Sequence, residues 1–107
     1  YPPYNIEKLD DDYRISMAVA GFSEDDIEIT VKENTLIVEG RAKAEREGVA
    51  YLHHGIAGRG FERRFQLAEN VKVSGASMEN GLLHVDLQHH TPEHMKPRQI
   101  EIQKSAA

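Results

Sequence analysis

Hydrophobic residues alternate with polar or small residues along most of the chain, with a period of two. That alternation is typical of a β-strand that buries one face. The hydrophobic positions of these runs are Tyr13, Ile15, Met17 and Val19; Ile27, Ile29 and Val31; Leu36-Ile37-Val38; Phe61, Phe65 and Leu67; Val71 and Val73; and Leu83, Val85 and Leu87. Six to eight short strands without a convincing long helix predict an all-β protein, an antiparallel β-sandwich.

Turn signals separate these runs. Ser23, with the acid Asp26 three residues later, predicts a single capped helical turn before the second run. Glu33-Asn34 is the expected turn before the third run, because asparagine tolerates left-handed backbone angles. Asn80-Gly81 predicts a tight hairpin, since a type I′ turn needs positive φ at both central residues.

Residues 41–60 break the pattern. The charged residues 42–47 fit either a strand extension or a short helix, and glycines at 48, 55, 58 and 60 surround a short apolar piece at 49–52. A loop of this length inside a small domain usually has a function.

A sandwich over residues 1–90 leaves a C-terminal extension, 91–107, which Pro92 and Pro97 make an extended tail. Ile100 and Ile102 face the same way on an extended chain and form a two-pronged tail plug. Such a plug can add to the sheet edge of a neighbouring subunit. Each isoleucine contributes roughly 1.5–3 kcal/mol, so one plug binds only at about millimolar affinity and acts through multivalency. The alternative is that this segment is the last strand of its own sheet.

Composition narrows the function classes. The chain has 107 residues, enough for one domain, and its formal net charge is −5 without a basic run, so binding to a nucleic-acid backbone is disfavoured. The absence of cysteine removes disulfides, thiol catalysis and thiolate zinc sites. The longest apolar stretches are too short for a membrane span. The first residue is Tyr1 rather than methionine, so a fragment is expected, in which a targeting segment would not be visible.

Six histidines raise the question of a metal site. The adjacent pairs His53-His54 and His89-His90 would point to opposite faces of a strand, and Pro92 disfavours a helix that would join His90 to His94. Solvated histidines are therefore favoured over a metal site, and no metal or cofactor is predicted. Six added protons would turn the formal charge of −5 into +1, so mild acid should change self-association.

Other candidate chemistry has a simpler explanation. The glycine-rich residues 55–60 lack the Lys-Ser/Thr ending of a phosphate loop and precede a strand, so a mobile loop is favoured. Asp10-Asp11-Asp12 lacks the ligand spacing of a calcium loop, and a turn between strands is favoured. No serine lies in an elbow motif and no triad order is evident, so the sequence predicts no enzyme.

Arg63 does not fit the simple pattern. It shares the alternation phase of Phe61 and Phe65 and should point toward the apolar side, and Arg59 shares the same phase. A charge there must be paired or lie at an interface, because an isolated buried charge costs several kcal/mol. A bulged strand that carries both arginines to solvent is the alternative.

Several segments, taken together and in order, are similar to a known family. They are Tyr13-Arg14-Ile15, Ala18-Val19-Ala20-Gly21-Phe22, Leu36-Ile37-Val38-Glu39-Gly40, Phe61-Glu62-Arg63-Arg64-Phe65, Ala76-Ser77-Met78-Glu79-Asn80-Gly81-Leu82-Leu83 and Lys96-Pro97-Arg98-Gln99-Ile100-Glu101-Ile102. From about residue 4 to residue 102 the chain resembles the α-crystallin domain of small heat-shock proteins, most closely the bacterial inclusion-body-binding type.

The resemblance implies an Ig-like sandwich that pairs as a homodimer through a strand of the long loop, which crosses to the partner's sheet. That strand and the dimer contact would include Tyr51, Leu52, His53, His54, Arg59 and Arg63. The tail plug would bind a groove on another dimer and so build higher oligomers. The groove walls would be Ile29, Val31, Val71 and Val73.

The function that the resemblance implies is ATP-independent holding of unfolding client proteins, which ATP-driven chaperones then receive, in the cytoplasm. The family's apolar N-terminal arm is expected to be absent, because the chain begins where that arm would end. The alternative from another class is an Ig-like adaptor or co-chaperone module that binds one folded partner, with a stable monomer as its signature. An enzyme is a third and more distant alternative.

Overall fold

Strands make up the ordered framework of the protein. The computed structural model describes residues 1–42, 47–55, 59–91 and 97–103. Within these ranges the elements are strands and one 3₁₀ turn, Glu24–Asp26, which confirms the predicted all-β class. The strands are β1 (Tyr4–Leu9), β2 (Asp12–Ala18), β3 (Ile27–Lys32), β4 (Thr35–Gly40), β5 (Phe61–Gln66), β6 (Val71–Glu79) and β7 (Leu82–His89).

The strands form two antiparallel sheets that share one core. One sheet has the order β1-β2-β7-β6 and the other the order β3-β4-β5, which confirms the predicted sandwich. The sheet edges are therefore β1 and β6 on one side of the core, and β3 and β5 on the other.

The core consists of the inward positions of the alternating strands. Burying each such side chain contributes roughly 1.5–3 kcal/mol to folding. Apart from Phe22, which follows the first run, the buried hydrophobic residues all belong to the alternating runs. They are Ile15, Met17, Val19, Phe22, Leu36, Val38, Leu67, Leu83, Val85 and Leu87.

The turns follow the sequence signals with one correction. The Ser23 backbone N–H donates to the Asp26 carboxylate at 2.9 Å, which confirms the capped turn. Asn80 and Gly81 have φ of 51° and 77°, which confirms the hairpin with positive φ at both central residues. The turn before β4 is also where it was expected, but Glu33, not Asn34, adopts the left-handed conformation, with φ of 57°.

Candidate functional site

An open groove runs between β3 and β6, which are edge strands of opposite sheets. It encloses about 200 Å³, and apolar side chains share its lining with the polar residues Glu24 and Ser77. We call it the edge groove and define it by its described lining residues, which are Glu24, Ile27, Ile29, Ala76, Ser77, Met78 and Leu83.

The edge groove lies further along β6 than the sequence indicates. Of its predicted walls only Ile29 lines it; Val31 is exposed, and Val71 lines a different cavity. Val73 is also absent from the groove lining and packs against the core instead. The physical reason is a break in the β6–β7 register between Val73 and Gly75. An extra residue in one strand reverses the alternation that follows it.

A second cavity opens between the sheets near β1 and β5. It encloses about 520 Å³, and its lining includes Ile6, Tyr13, Phe65, Val71 and Leu87. Ile6 is 58% exposed, so apolar surface continues from this cavity onto the outer strand β1. We call it the β1 cavity.

Arg63 points into the sandwich, as the alternation of β5 predicts. β5 pairs with β4 in unbroken register, which rules out the bulged alternative. Arg63 Nη2 donates to the Pro2 carbonyl at 3.2 Å, and the guanidinium lies 5.2 Å from the centre of the Tyr4 ring. Its Nε is buried and has no hydrogen-bond partner among the described residues. One donor of this arginine therefore has no acceptor among the residues that the structure describes.

Arg59 does not share this inward position, which corrects the expectation from the alternation. β5 begins at Phe61, so the period of two does not extend back to Arg59. Arg59 is exposed, and its guanidinium lies 4.4 Å from the centre of the Tyr1 ring. Both arginines thus contact the first four residues of the chain, where Pro2 is buried.

The loop segment 47–55 contains no strand in the single chain. Leu52 is fully exposed, and the rings of Tyr51 and His54 stack at 4.2 Å. His53 is exposed beside them. Pairing of this segment with a partner's sheet is therefore a prediction that one chain alone does not test. Residues 43–46 and 56–58 lie outside the described residues.

The described part of the tail, residues 97–103, forms no strand. Ile100 and Ile102 are 78% and 97% exposed, so the tail plug does not pack as the last strand of its own sheet. Within the single chain these two large apolar side chains are therefore exposed to solvent. Residues 92–96, which contain His94, lie outside the described residues.

A polar cluster that the sequence did not predict lies on the outer face of the four-stranded sheet. His84 and Ser16 are both buried, with Ser16 Oγ 2.8 Å from His84 Nδ1. His84 Nε2 lies 3.4 Å from the Glu79 carboxylate, so the cluster joins β2, β7 and β6. Next to it, the hydrogen bond from Arg14 to Asp86, at 2.7 Å, raises the pKa of Arg14. The alternation in the sequence places these residues on the outer face of their strands. Which of them contact one another depends on strand register, which the sequence does not show.

Within the described ranges, no group of three or more histidine, aspartate or glutamate side chains could hold a metal ion. No helix in that part of the chain is long and apolar enough to cross a membrane.

Comparison with known proteins identifies the family. The model of the Hsp20/alpha crystallin family matches residues 5–103. The small heat shock protein IbpA of Klebsiella pneumoniae is 56% identical over 103 residues, which cover 95% of this chain and 75% of that protein. IbpA of Pectobacterium carotovorum is 55% identical over the same shares.

Comparison with solved structures indicates the same family. A small heat shock protein from Synechococcus phage S-ShM2 superposes with a TM-score of 0.73 at 36% identity, and 95% of this chain and 99% of that chain are covered. A C-terminally truncated form of AgsA from Salmonella typhimurium gives a TM-score of 0.77 at 30% identity, with the same coverage. The chain belongs to the Hsp20/alpha crystallin family and has the α-crystallin fold of small heat-shock proteins.

Proposed function

We propose that the protein is an ATP-independent holdase, which binds unfolding proteins through open apolar surfaces and prevents their aggregation. The edge groove is the observation that carries this proposal. It is an open channel with apolar side chains such as Ile27, Ile29 and Met78 in its walls, and it lies between two edge strands, which offer unpaired backbone groups to an added extended segment. Unfolded chains supply extended apolar segments of many sequences, so a groove of this kind suits promiscuous binding.

The proposal includes no catalytic role. Holding a client makes and breaks no covalent bond, and neither a metal nor another cofactor is required. We assign no catalytic residue, and the buried Ser16–His84 pair is understood as a structural bridge between β2 and β7.

We propose a homodimer as the basic unit. The loop residues Tyr51, Leu52, His53 and His54 would add as a strand to the outer edge of the partner's β1, which is the last strand of its sheet. A strand added there would cover part of the apolar surface that extends from the β1 cavity to the exposed side chain of Ile6. A partner's acceptor would also satisfy the buried Nε of Arg63, which the family resemblance assigns to the dimer contact.

We propose further that the C-terminal extension, residues 91–107, links dimers into higher oligomers. The exposed pair Ile100 and Ile102 would dock in the edge groove of another dimer, where Ile29 is a wall. One docked plug is weak, at about millimolar affinity, so it releases readily. Client segments could then compete with the plug for the same groove, and ATP-driven chaperones of the cytoplasm would take over the clients that are held.

The test is suppression of client aggregation without nucleotide. A reporter enzyme that aggregates on heating is followed by light scattering at increasing ratios of this protein, with an unrelated acidic protein as the control. We expect scattering to fall as the ratio rises, without ATP. Scattering that stays unchanged at a large excess would reject the holdase function, and saturable binding to one folded partner would favour the adaptor.

A further inference from the structure

Glu24 places a carboxylate at one end of the edge groove. It begins the 3₁₀ turn, in which the Ile27 N–H donates to the Glu24 carbonyl, so the turn folds Glu24 back against the start of β3. Glu24 is the charged residue among the described residues that line the groove. Its carboxylate makes no hydrogen bond or ion pair with another described residue. Among the described residues, nothing binds this charged acceptor beside Ile27.

Arg41, a cation that contacts the 3₁₀ turn, is bound to other groups of that turn. Arg41 donates from its guanidinium to the Asp25 carbonyl and from its backbone N–H to the Asp26 carbonyl. The 3₁₀ turn is acidic throughout, Glu24–Asp26, with Glu28 on the outward face of β3. This end of the groove favours a cation that arrives from outside the sandwich.

The tail carries such a cation in register with the plug. On an extended chain, residues two apart share a face, so Arg98 lies on the same face as Ile100 and Ile102. The step between them is roughly 6.6–6.8 Å, which is also the step between Ile27 and Ile29 on β3. With Ile102 beside Ile29 and Ile100 beside Ile27, the next position, Arg98, lies beyond the start of β3, at the 3₁₀ turn that Glu24 begins.

We propose that Glu24 binds Arg98 of the tail of a second copy of this chain and so fixes the direction in which the tail docks. This inference rests on the proposed docking of the tail plug. The opposite direction would bring Lys104, outside the described residues, to the same carboxylate. Arg98 is preferred because a guanidinium binds a carboxylate through two parallel hydrogen bonds, whereas an ammonium is a strongly hydrated point charge.

The test measures binding of a fluorescent peptide that spans residues 96–104. The protein is the full chain with Ile100→Ala and Ile102→Ala, so that its own tail does not compete. We expect Glu24→Arg to weaken binding about two- to fivefold, the range for an exposed ion pair, and more added salt to reduce this difference. An Arg98→Glu peptide should lose a similar factor and recover it on the Glu24→Arg protein.

Glu28→Arg is the matched control, because it makes the same change of charge on the outward face of β3. Equal weakening by Glu24→Arg and Glu28→Arg would reject the specific pair, as would recovery with a Lys104→Glu peptide instead of the Arg98→Glu peptide. A peptide with both isoleucines changed to alanine separates the two proposals. If it binds as well as the native peptide, the docking of the plug is itself wrong.

Discussion

Arg63 donates one hydrogen bond to the Pro2 carbonyl, contacts the Tyr4 ring and leaves its Nε buried without a partner in the described chain. The alternation of β5 predicted the inward direction of this side chain, because period two follows from strand geometry alone. It could not predict the contacts with Pro2 and Tyr4, since these residues are distant in sequence and meet Arg63 only in the folded chain.

Replacing Arg63 tests its structural role. Arg63→Ala removes the donor to the Pro2 carbonyl and the contact with the Tyr4 ring, so we expect the free energy of unfolding to fall by roughly 1–3 kcal/mol. Urea unfolding followed by circular dichroism measures it. Arg64→Ala is the control on the same strand, because Arg64 points outward to an exposed ion pair with Glu62 and should change stability by less than about 0.5 kcal/mol. Equal midpoints for the two variants would contradict this account of Arg63.

The buried pair of Ser16 and His84 makes a second prediction for single residues. Ser16→Ala leaves His84 Nδ1 buried without its partner, so we expect the free energy of unfolding to fall by roughly 1–3 kcal/mol. Thermal unfolding compares this variant with Ser74→Ala, the same substitution at an exposed position of β6, where the change should be small. If the melting temperature falls no more for Ser16→Ala than for Ser74→Ala, the pair contributes little to stability.

Elements with one clearly buried face were predictable from the sequence. β2, β4 and β7 were located because their inward positions supply most of the core. β1 was not located, because all six of its residues are exposed and no alternation of burial marks it. The register break after Val73 moved the edge groove away from Val71 and Val73, and hydrophobicity alone does not reveal an extra residue in a strand.

The tail is the element on which higher assembly should depend. Ile100→Ala with Ile102→Ala removes apolar contacts that the sandwich itself does not use, so we expect smaller assemblies and an unchanged fold. Sedimentation velocity measures the assemblies, and circular dichroism the fold. Gln99→Ala with Glu101→Ala changes the opposite face of the same segment and should leave the assemblies intact. An unchanged size distribution in the isoleucine variant would contradict the proposal that the tail plug links dimers.

The loop is the element on which pairing should depend. Leu52→Asp places a charge on the side chain that is proposed to cover a partner's β1. We therefore expect the dimer of this variant to have a larger dissociation constant than the dimer of the native chain. Thr30→Asp adds the same charge to an exposed position on β3 and serves as the control in the same sedimentation equilibrium measurement. Equal dissociation constants for both variants would place the dimer interface elsewhere.

At the scale of the whole molecule, charge should govern association. The formal charge of −5 separates copies at neutral pH, and six histidines can bring it to +1 in acid. We therefore expect larger assemblies, or lower solubility, as the pH falls toward the isoelectric point of about 5.6. Dynamic light scattering between about pH 7.5 and 5.5 measures the change. High salt should diminish it, and a size that does not vary with pH would contradict an electrostatic control.

Exchangeable assembly from dimers is the central claim, and the solution mass across a dilution series tests it most directly. Multi-angle light scattering of the native chain should give a dimer, or a mixture of dimer multiples that shifts toward the dimer on dilution. That result would support both the loop contact at β1 and the weak tail plug. A constant mass of 12.1 kDa at every concentration would contradict the dimer and the higher oligomers that are proposed from it.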